Sequence, residues 1–80
     1  MERQLILERL RQVAAECFAC APDAVGEATV AADIERWDSL RHLVFVSSLE
    51  QEFGIEFDMD VVAGLTNVGA LVTEIARLGK

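Results

Sequence analysis

Apolar side chains recur at helical spacing in three separate stretches of this chain, and this periodicity constrains the fold more than any other feature. The predicted helices run from Glu2 to about Phe18, from Asp38-Ser39 to about Phe53, and from a cap at Thr66 or Asn67 to Leu78. A brief helix from Met59 to about Ala63, between Asp58 and Gly64, is predicted before the last one. The sequence therefore predicts an all-α fold, a four-helix bundle of three main helices and one short one.

The positions expected to face the core follow from the same spacing. In the first helix they are Leu5/Ile6, Leu10, Val13/Ala14 and Cys17, and in the last they are Val68, Leu71, Val72, Ile75 and Leu78. Between the first two helices, residues 19–37 lose the periodicity and contain several turn-forming residues. A connection of this length is often functional. We expect Val30 and Ile34 to hold it against the core.

The length and composition indicate one small globular domain spanning residues 1–80. The chain has 80 residues, of which 52% are hydrophobic and 26% charged. A chain this short supports one modest core and no deep substrate cleft. No stretch reaches the roughly 20 consecutive apolar residues of a membrane span, and the charged N-terminal segment is unlike a signal peptide.

The net charge of −7 limits the classes of partner. Such a surface repels nucleic-acid phosphates and anionic lipid headgroups, so we expect neither nucleic acid nor membrane as a partner. It favours proteins that present Lys and Arg patches. The two cysteines, Cys17 and Cys20, cannot build a multi-disulfide framework, which favours a reducing, cytoplasmic location. We expect a monomer.

The second helix has two apolar faces instead of one. On a helical wheel, Phe45, Val46, Leu49 and Phe53 form the core face. Leu40, Val44 and Ser47 lie on nearly the opposite face, with Leu43 at its edge. A helix with a second apolar face must cover it with another chain or a neighbouring loop. The second face therefore predicts a docking surface.

Ser39 stands at the predicted start of this helix, beside that second face. Free backbone N–H groups and the helix dipole favour an anion there, so a phosphate ester on its hydroxyl would be stabilised. The plain alternative is that Ser39, like many serines at helix starts, only caps the helix.

The sequence from Asp38 onward resembles the signature of a known family. Asp38-Ser39-Leu40, followed by Leu43, Val46 and Leu49-Glu50-Gln51-Glu52-Phe53-Gly54-Ile55, resembles the signature of acyl carrier proteins. The later run Thr66-Asn67-Val68-Gly69-Ala70-Leu71-Val72 is similar to the opening of that family's last helix. The resemblance covers nearly the whole chain, including the helix order and the long first loop.

The resemblance implies a carrier and not an enzyme. In the family, a phosphopantetheinyl transferase moves 4'-phosphopantetheine from coenzyme A onto the serine that matches Ser39, and the thiol of this arm holds an acyl group as a thioester. Asp38 matches an aspartate that helps the transferase recognise the site, and Leu40 matches a leucine that inserts into partner surfaces. The partners implied are this transferase and the acyl-loading and acyl-processing enzymes of a fatty acid, polyketide or other biosynthetic pathway, with basic docking patches.

Some residues depart from the family's usual pattern. Trp37 precedes the Asp-Ser-Leu triplet, which is similar to stand-alone carriers of specialised pathways. Arg41, His42 and Val44 occupy the first turns of the helix, where the family is usually acidic, and Arg41 joins the docking candidates Leu40, Leu43, Val44 and Ser47. These differences predict a partner set of different polarity from that of a fatty-acid carrier.

Other interpretations of single residues remain open at this point. An unmodified helical adaptor would use Leu40, Leu43 and Val44 only for docking. A serine hydrolase would need Ser39 and His42, but helical geometry favours a partly buried structural His42. Cys17 and Cys20 suggest redox or metal chemistry, yet too few ligands are available for zinc, and a structural use is favoured.

The remaining alternatives concern side chains around the second helix. Trp37 could cover the arm or its cargo, although packing of the loop on the bundle is favoured. Five carboxylates could hold a divalent cation, although a solvated acidic face is favoured: Glu50, Glu52, Glu56, Asp58 and Asp60. Met59 and Val62 either shelter an acyl chain or pack in the core.

Overall fold

The three main helices predicted from the periodicity are confirmed in a computed structural model of the chain, which describes residues 2–58, 60 and 67–79. Helix α1 spans Arg3–Phe18, α2 spans Ser39–Phe53 and α3 spans Val68–Leu78. Two single turns of 3₁₀-helix, Pro22–Ala24 and Ala31–Asp33, lie in the long connection. Apart from Asp60, the brief helix predicted from Met59 to Ala63 lies outside the described residues. All the regular structure in the described ranges is helical, so the all-α prediction is confirmed.

Local capping residues explain where α2 and α3 begin and where α2 ends. The side chain of Asp38 accepts a hydrogen bond from Arg41 N at the start of α2, and that of Asn67 accepts one from Ala70 N at the start of α3. Gly54 ends α2 with φ at 63°, in the left-handed region that glycine enters without steric cost. These three boundaries agree with the sequence prediction, which allowed Thr66 or Asn67 as the last cap.

The core forms where α1 lies against both α2 and α3. Its buried residues come from α1, α2 and α3, from the long loop and from the link after α2: Ile6, Leu7, Leu10, Val13, Ala14, Phe18, Val25, Ile34, Phe45, Val46, Leu49, Phe57, Val68, Leu71, Val72 and Ile75. The α1 face is turned slightly from the predicted one. Leu7 is buried and Leu5 is exposed, because α2 and α3 together cover a face centred on Ile6 and Leu10. Cys17 and Leu78 are only partly buried at the edge of this core.

The long loop is held by different residues from those expected. Ile34 is buried as predicted, but Val30 is only half-buried, and Val25 takes its place in the core. Arg11 Nε donates to the carbonyl oxygen of Val25 over 2.6 Å, which draws this part of the loop onto α1. Once Val25 is fixed there, Val30 is not needed as an anchor.

The start of α3 also binds the loop. Val68 N donates to Thr29 O over 2.9 Å, and Gly69 N donates to Glu27 O over 2.7 Å. These bonds satisfy two of the amides that have no partner within a helix. A Cβ atom at Gly69 would lie 3.0 Å from Glu27 O, so this close approach favours glycine. Arg3 adds an ion pair with Glu27 and a hydrogen bond of 2.7 Å to Thr73 Oγ1.

In the described part of the chain, no helix has both the length and the apolar character that crossing a membrane requires.

Candidate functional site at the start of helix α2

Ser39 is the first residue of α2, and its side chain is exposed. The helix is capped by the residue before it, because Asp38 Oδ1 accepts from Arg41 N over 2.8 Å. The capping bond therefore does not use the Ser39 hydroxyl. The alternative that Ser39 serves only as the helix cap is therefore wrong, because Asp38 supplies the cap. The hydroxyl stands at the surface, where a second molecule can reach it.

The surroundings of this hydroxyl suit a phosphate ester. The backbone N–H groups of the first turn of a helix point toward its start, and the helix dipole places partial positive charge there. The first turn of α2 contains no acidic residue. The only carboxylate in the cap, that of Asp38, is engaged with the Arg41 amide. A negatively charged group attached to Ser39 would therefore lie close to helix dipoles of favourable sign.

The second apolar face of α2 is exposed, as the wheel predicted. Leu40 is 72% exposed, and Leu43 and Val44 are each 53% exposed. Ser47, one turn further on, is also exposed. The opposite face carries the buried residues Phe45, Val46 and Leu49. Exposed aliphatic side chains beside Ser39 are a feature of interaction surfaces, although the docking roles of these residues remain predictions.

Trp37 fixes the end of the long loop to the bundle. Its ring stacks on Phe18, with centroids 4.9 Å apart and planes 21° from parallel, and meets Phe45 edge-on at 5.5 Å. Aromatic pairs at such separations add about 0.5–1.5 kcal/mol beyond area burial. The favoured prediction for Trp37, packing of the loop on the bundle, is confirmed. The position of Ser39 is thereby tied to the core through the residue two places before it.

His42 is half-buried against the same tryptophan. Trp37 Nε1–H donates to His42 Nδ1 over 3.0 Å, and the two rings stack with centroids 5.9 Å apart. Burial lowers the pKa of His42 below its ordinary value. The predicted structural role of His42 is confirmed. Because Nδ1 is occupied by the indole, this nitrogen is not available as a base for the Ser39 hydroxyl, and this works against the hydrolase interpretation.

A shallow groove of about 560 Å³ runs beside Ser39. Its wall comes from the second 3₁₀ turn, from the residues before α2 and from the first turns of that helix: Ala31, Trp37, Asp38, Ser39, His42 and Leu43. Five of these residues stand out in the sequence, but their spacing does not predict that they meet in one groove. Ala31 was missed altogether, because a single alanine in a non-periodic loop carries no sequence signal.

Arg41, a docking candidate, also has a structural contact. Its guanidinium donates to the carbonyl oxygen of Cys17 over 3.0 Å, at the C-terminal end of α1. This bond satisfies one of the carbonyls left without a partner where the helix stops. Ala19, the residue that follows α1, has φ at 52°, in the left-handed region that alanine adopts at a cost of about 1 kcal/mol. Arg41 therefore helps to join the end of α1 to the start of α2.

The two cysteines and Glu50 take structural positions, whereas the other four carboxylates of the predicted acidic set are exposed. Cys17 and Cys20 are free and partly buried, with Cys20 Sγ 3.9 Å from Ala14 O. Glu50 Oε2 accepts from Phe57 N over 2.8 Å. This carboxylate therefore holds the link after α2 in place and does not belong to a solvated face. Glu52, Glu56, Asp58 and Asp60 are exposed, as predicted. Across residues 2–58, 60 and 67–79, no three potential metal-ligating side chains lie together.

Comparison with known proteins identifies one family. A family model described as "phosphopantetheine attachment site" matches residues 8–75, which is most of the chain. The matched region includes α2, most of α1 and α3, and the whole of the long loop. Comparison with curated proteins gives no match.

Proposed function

Because this match covers most of its length, the chain belongs to the phosphopantetheine-attachment family of acyl carrier proteins, and we propose that Ser39 carries the covalent 4'-phosphopantetheine arm. The observation that carries this proposal is the exposed Ser39 hydroxyl at the first position of α2, with the cap supplied by Asp38. The serine lies inside the matched region, and the dipole of α2 favours the negative charge of the attached phosphate. A domain of this kind holds the arm covalently and has a carrier role.

The arm supplies a terminal thiol that can hold an acyl or aminoacyl group as a thioester. The chain's own residues provide the attachment point and its support. Ser39 offers the hydroxyl, Asp38 holds the start of α2, and Trp37 ties this start to the core. We propose that the protein is itself no enzyme, and that residues 1–80 act as a single cytoplasmic carrier domain that presents its cargo to partner enzymes.

Two classes of partner are proposed. A phosphopantetheinyl transferase attaches the arm and recognises Asp38. Acyl-loading and acyl-processing enzymes of a biosynthetic pathway then dock through the exposed face of α2, formed by Leu40, Leu43, Val44 and Ser47, with Arg41 beside it. The exposure of these aliphatic side chains supports docking, and the net charge of −7 supports enzymes with basic patches.

Intact-mass measurement after incubation with a promiscuous transferase and coenzyme A tests the attachment. We expect the mass to rise by one phosphopantetheine group in the wild-type protein and in the control variant Ser48→Ala, whose half-buried serine lies on the same helix. The variant Ser39→Ala should show no rise. An unchanged wild-type mass, or a rise that survives Ser39→Ala, contradicts the proposal.

The exposed face also favours a second candidate, an unmodified helical adaptor that docks through Leu40, Leu43 and Val44. The two candidates differ in their dependence on Ser39. An adaptor would acquire no mass from the transferase, and its partner binding would be the same in Ser39→Ala as in the wild type.

A further inference from the structure

The groove beside Ser39 has a mixed lining that matches a chain-like ligand with methyl groups and amides. Trp37, Leu43 and Ala31 supply apolar surface, and His42 adds an imidazole ring to the lining. Its volume of about 560 Å³ falls in the range of about 300–1,000 Å³ seen for small-molecule sites. The groove lies between the long loop and α2, so both elements that position Ser39 also form its walls.

The occupant is indicated by the position of Ser39 in the wall itself. Any group joined to the Ser39 hydroxyl begins at the edge of the groove, and a tether of this kind raises its local concentration far above that of a free ligand. His42 and Leu43 are three and four residues after Ser39, which makes them its neighbours on the helix surface at about 5–6 Å between Cβ atoms. The tethered arm is therefore favoured over a diffusing molecule.

The hydrogen bond between Trp37 and His42 determines which imidazole nitrogen can donate. The indole Nε1–H is only a donor, so His42 Nδ1 must accept and must lack a proton. The neutral ring then carries its proton on Nε2. Among the described residues, no buried side-chain nitrogen or oxygen is left without a partner, which is consistent with an Nε2–H that faces outward. His42 thus presents a donor of fixed tautomer beside the apolar wall.

We propose that this groove binds the part of the 4'-phosphopantetheine arm nearest the serine, with its geminal methyl groups against Trp37 and Leu43 and an amide carbonyl oxygen accepting from His42 Nε2–H. This inference rests on the proposed attachment at Ser39. The arm is then held along the loop side of α2, while Leu40 and Val44 stay uncovered for partner proteins. Trp37 acquires a second role in addition to packing the loop.

Nuclear Overhauser effects (NOEs) in the arm-bearing protein test this arrangement. The arm is introduced with isotope-labelled coenzyme A, and the intact mass of the same sample establishes that it is attached. We expect NOEs between the geminal methyl protons and the Trp37 ring. Leu43→Ala should weaken them at least threefold, whereas Val44→Ala should leave them unchanged, because Val44 has the same 53% exposure but does not line the groove.

A pair of His42 variants tests the donor. His42→Gln can accept from Trp37 through its amide oxygen and donate through its amide nitrogen, so it should retain the NOEs. His42→Leu can neither accept nor donate a hydrogen bond, so the intensity of these NOEs should fall at least threefold. If His42→Leu does not fold, the comparison of Leu43→Ala with Val44→Ala still decides the question.

The possible outcomes separate the two proposals. A mass increase without NOEs to Trp37 overturns the groove inference and leaves the attachment to Ser39 standing. NOEs that appear only after an acyl group is loaded would assign the groove to the cargo and overturn the inference as well. No mass increase removes the tether and overturns both.

Discussion

Adjacent residues at the start of α2 have separate tasks, and this separation makes the serine available. The Asp38 side chain caps the helix, Ser39 keeps an exposed hydroxyl, and Trp37 packs against Phe18. A serine that capped the helix itself would have its hydroxyl engaged with a backbone amide. The single-residue predictions therefore concern the cap and the histidine that contacts the tryptophan.

Replacing Asp38 separates its capping role from its proposed role in transferase recognition. Asp38→Ala should lower the free energy of unfolding by about 1 kcal/mol, because the Arg41 amide loses its acceptor. Asp38→Asn keeps an acceptor oxygen and should change stability by only a few tenths of a kcal/mol. Denaturant unfolding measures both. If the transferase recognises the charge of Asp38, it should modify Ser39 more slowly in both variants. An Asp38→Asn variant modified at the wild-type rate would contradict that role.

His42 should make stability depend on pH in a defined direction. Burial lowers its pKa in the folded chain, so the unfolded chain binds the proton more readily. The free energy of unfolding should be highest above about pH 6.5, the ordinary histidine value, and should fall as the pH drops from there toward 5. Denaturant unfolding at several pH values measures this. His42 is the only histidine, so His42→Gln should flatten the curve in that range, and an equal slope in the variant would contradict the assignment.

At the scale of the elements, the long loop behaves as a structural part of the bundle. Its residues Glu27 and Thr29 receive the first amides of α3, Arg11 binds the carbonyl of Val25, and Trp37 stacks on Phe18. The loop thus contacts α1 and α3 directly, and Trp37, two residues before Ser39 in the chain, also packs against Phe45 of α2. The shortest backbone-to-backbone contact among these joins Gly69 N to Glu27 O over 2.7 Å.

Gly69→Ala gives a test in which two effects have opposite sign. Helix propensity alone predicts a gain of up to about 1 kcal/mol, because alanine is the better helix former. The new Cβ would stand 3.0 Å from Glu27 O, and overpacking costs about 1–3 kcal/mol. We expect a net loss of about 1 kcal/mol in the free energy of unfolding, measured by denaturant titration. A more stable Gly69→Ala would show that Glu27 gives way without cost, and would contradict the expected loss.

At the scale of the whole molecule, the negative charge and the exposed apolar face of α2 act on partner proteins over different distances. The net charge of −7 acts over a distance of about one Debye length, roughly 8–10 Å at ordinary salt. The exposed aliphatic side chains of α2 act only on contact. Charge should therefore govern how fast partners arrive, and the aliphatic face should govern how long they stay.

The rate of Ser39 modification should report both contributions. Raising the salt concentration from about 50 mM to about 500 mM should lower kcat/KM of the transferase several-fold, because screening weakens attraction to a basic partner. Leu40→Ala should lower it by about tenfold more at every salt concentration, since a central contact is worth more than about 1 kcal/mol. Leu5→Ala, an exposed leucine on α1, is the matched control and should have no effect. A rate that rises with salt would contradict the proposed partner polarity.

The sequence alone determined the three main helices to within a residue or two, the stop of α2 at Gly54 and the two faces of α2, and it narrowed the caps to Asp38 or Ser39 and to Thr66 or Asn67. These features depend on residues within about four positions of one another, so spacing and residue type are enough to predict them. The family resemblance rested on the same local runs, and the later match over residues 8–75 agrees with it.

Only the tertiary structure decided which of Val25, Val30 and Ile34 hold the loop, which carbonyls the arginines bind, and that Trp37, His42 and Ala31 meet in a groove beside Ser39. Each of these outcomes joins residues from different elements. A side chain with several possible partners takes the one that the packed helices bring within reach, and the spacing of residues along the chain does not contain that information.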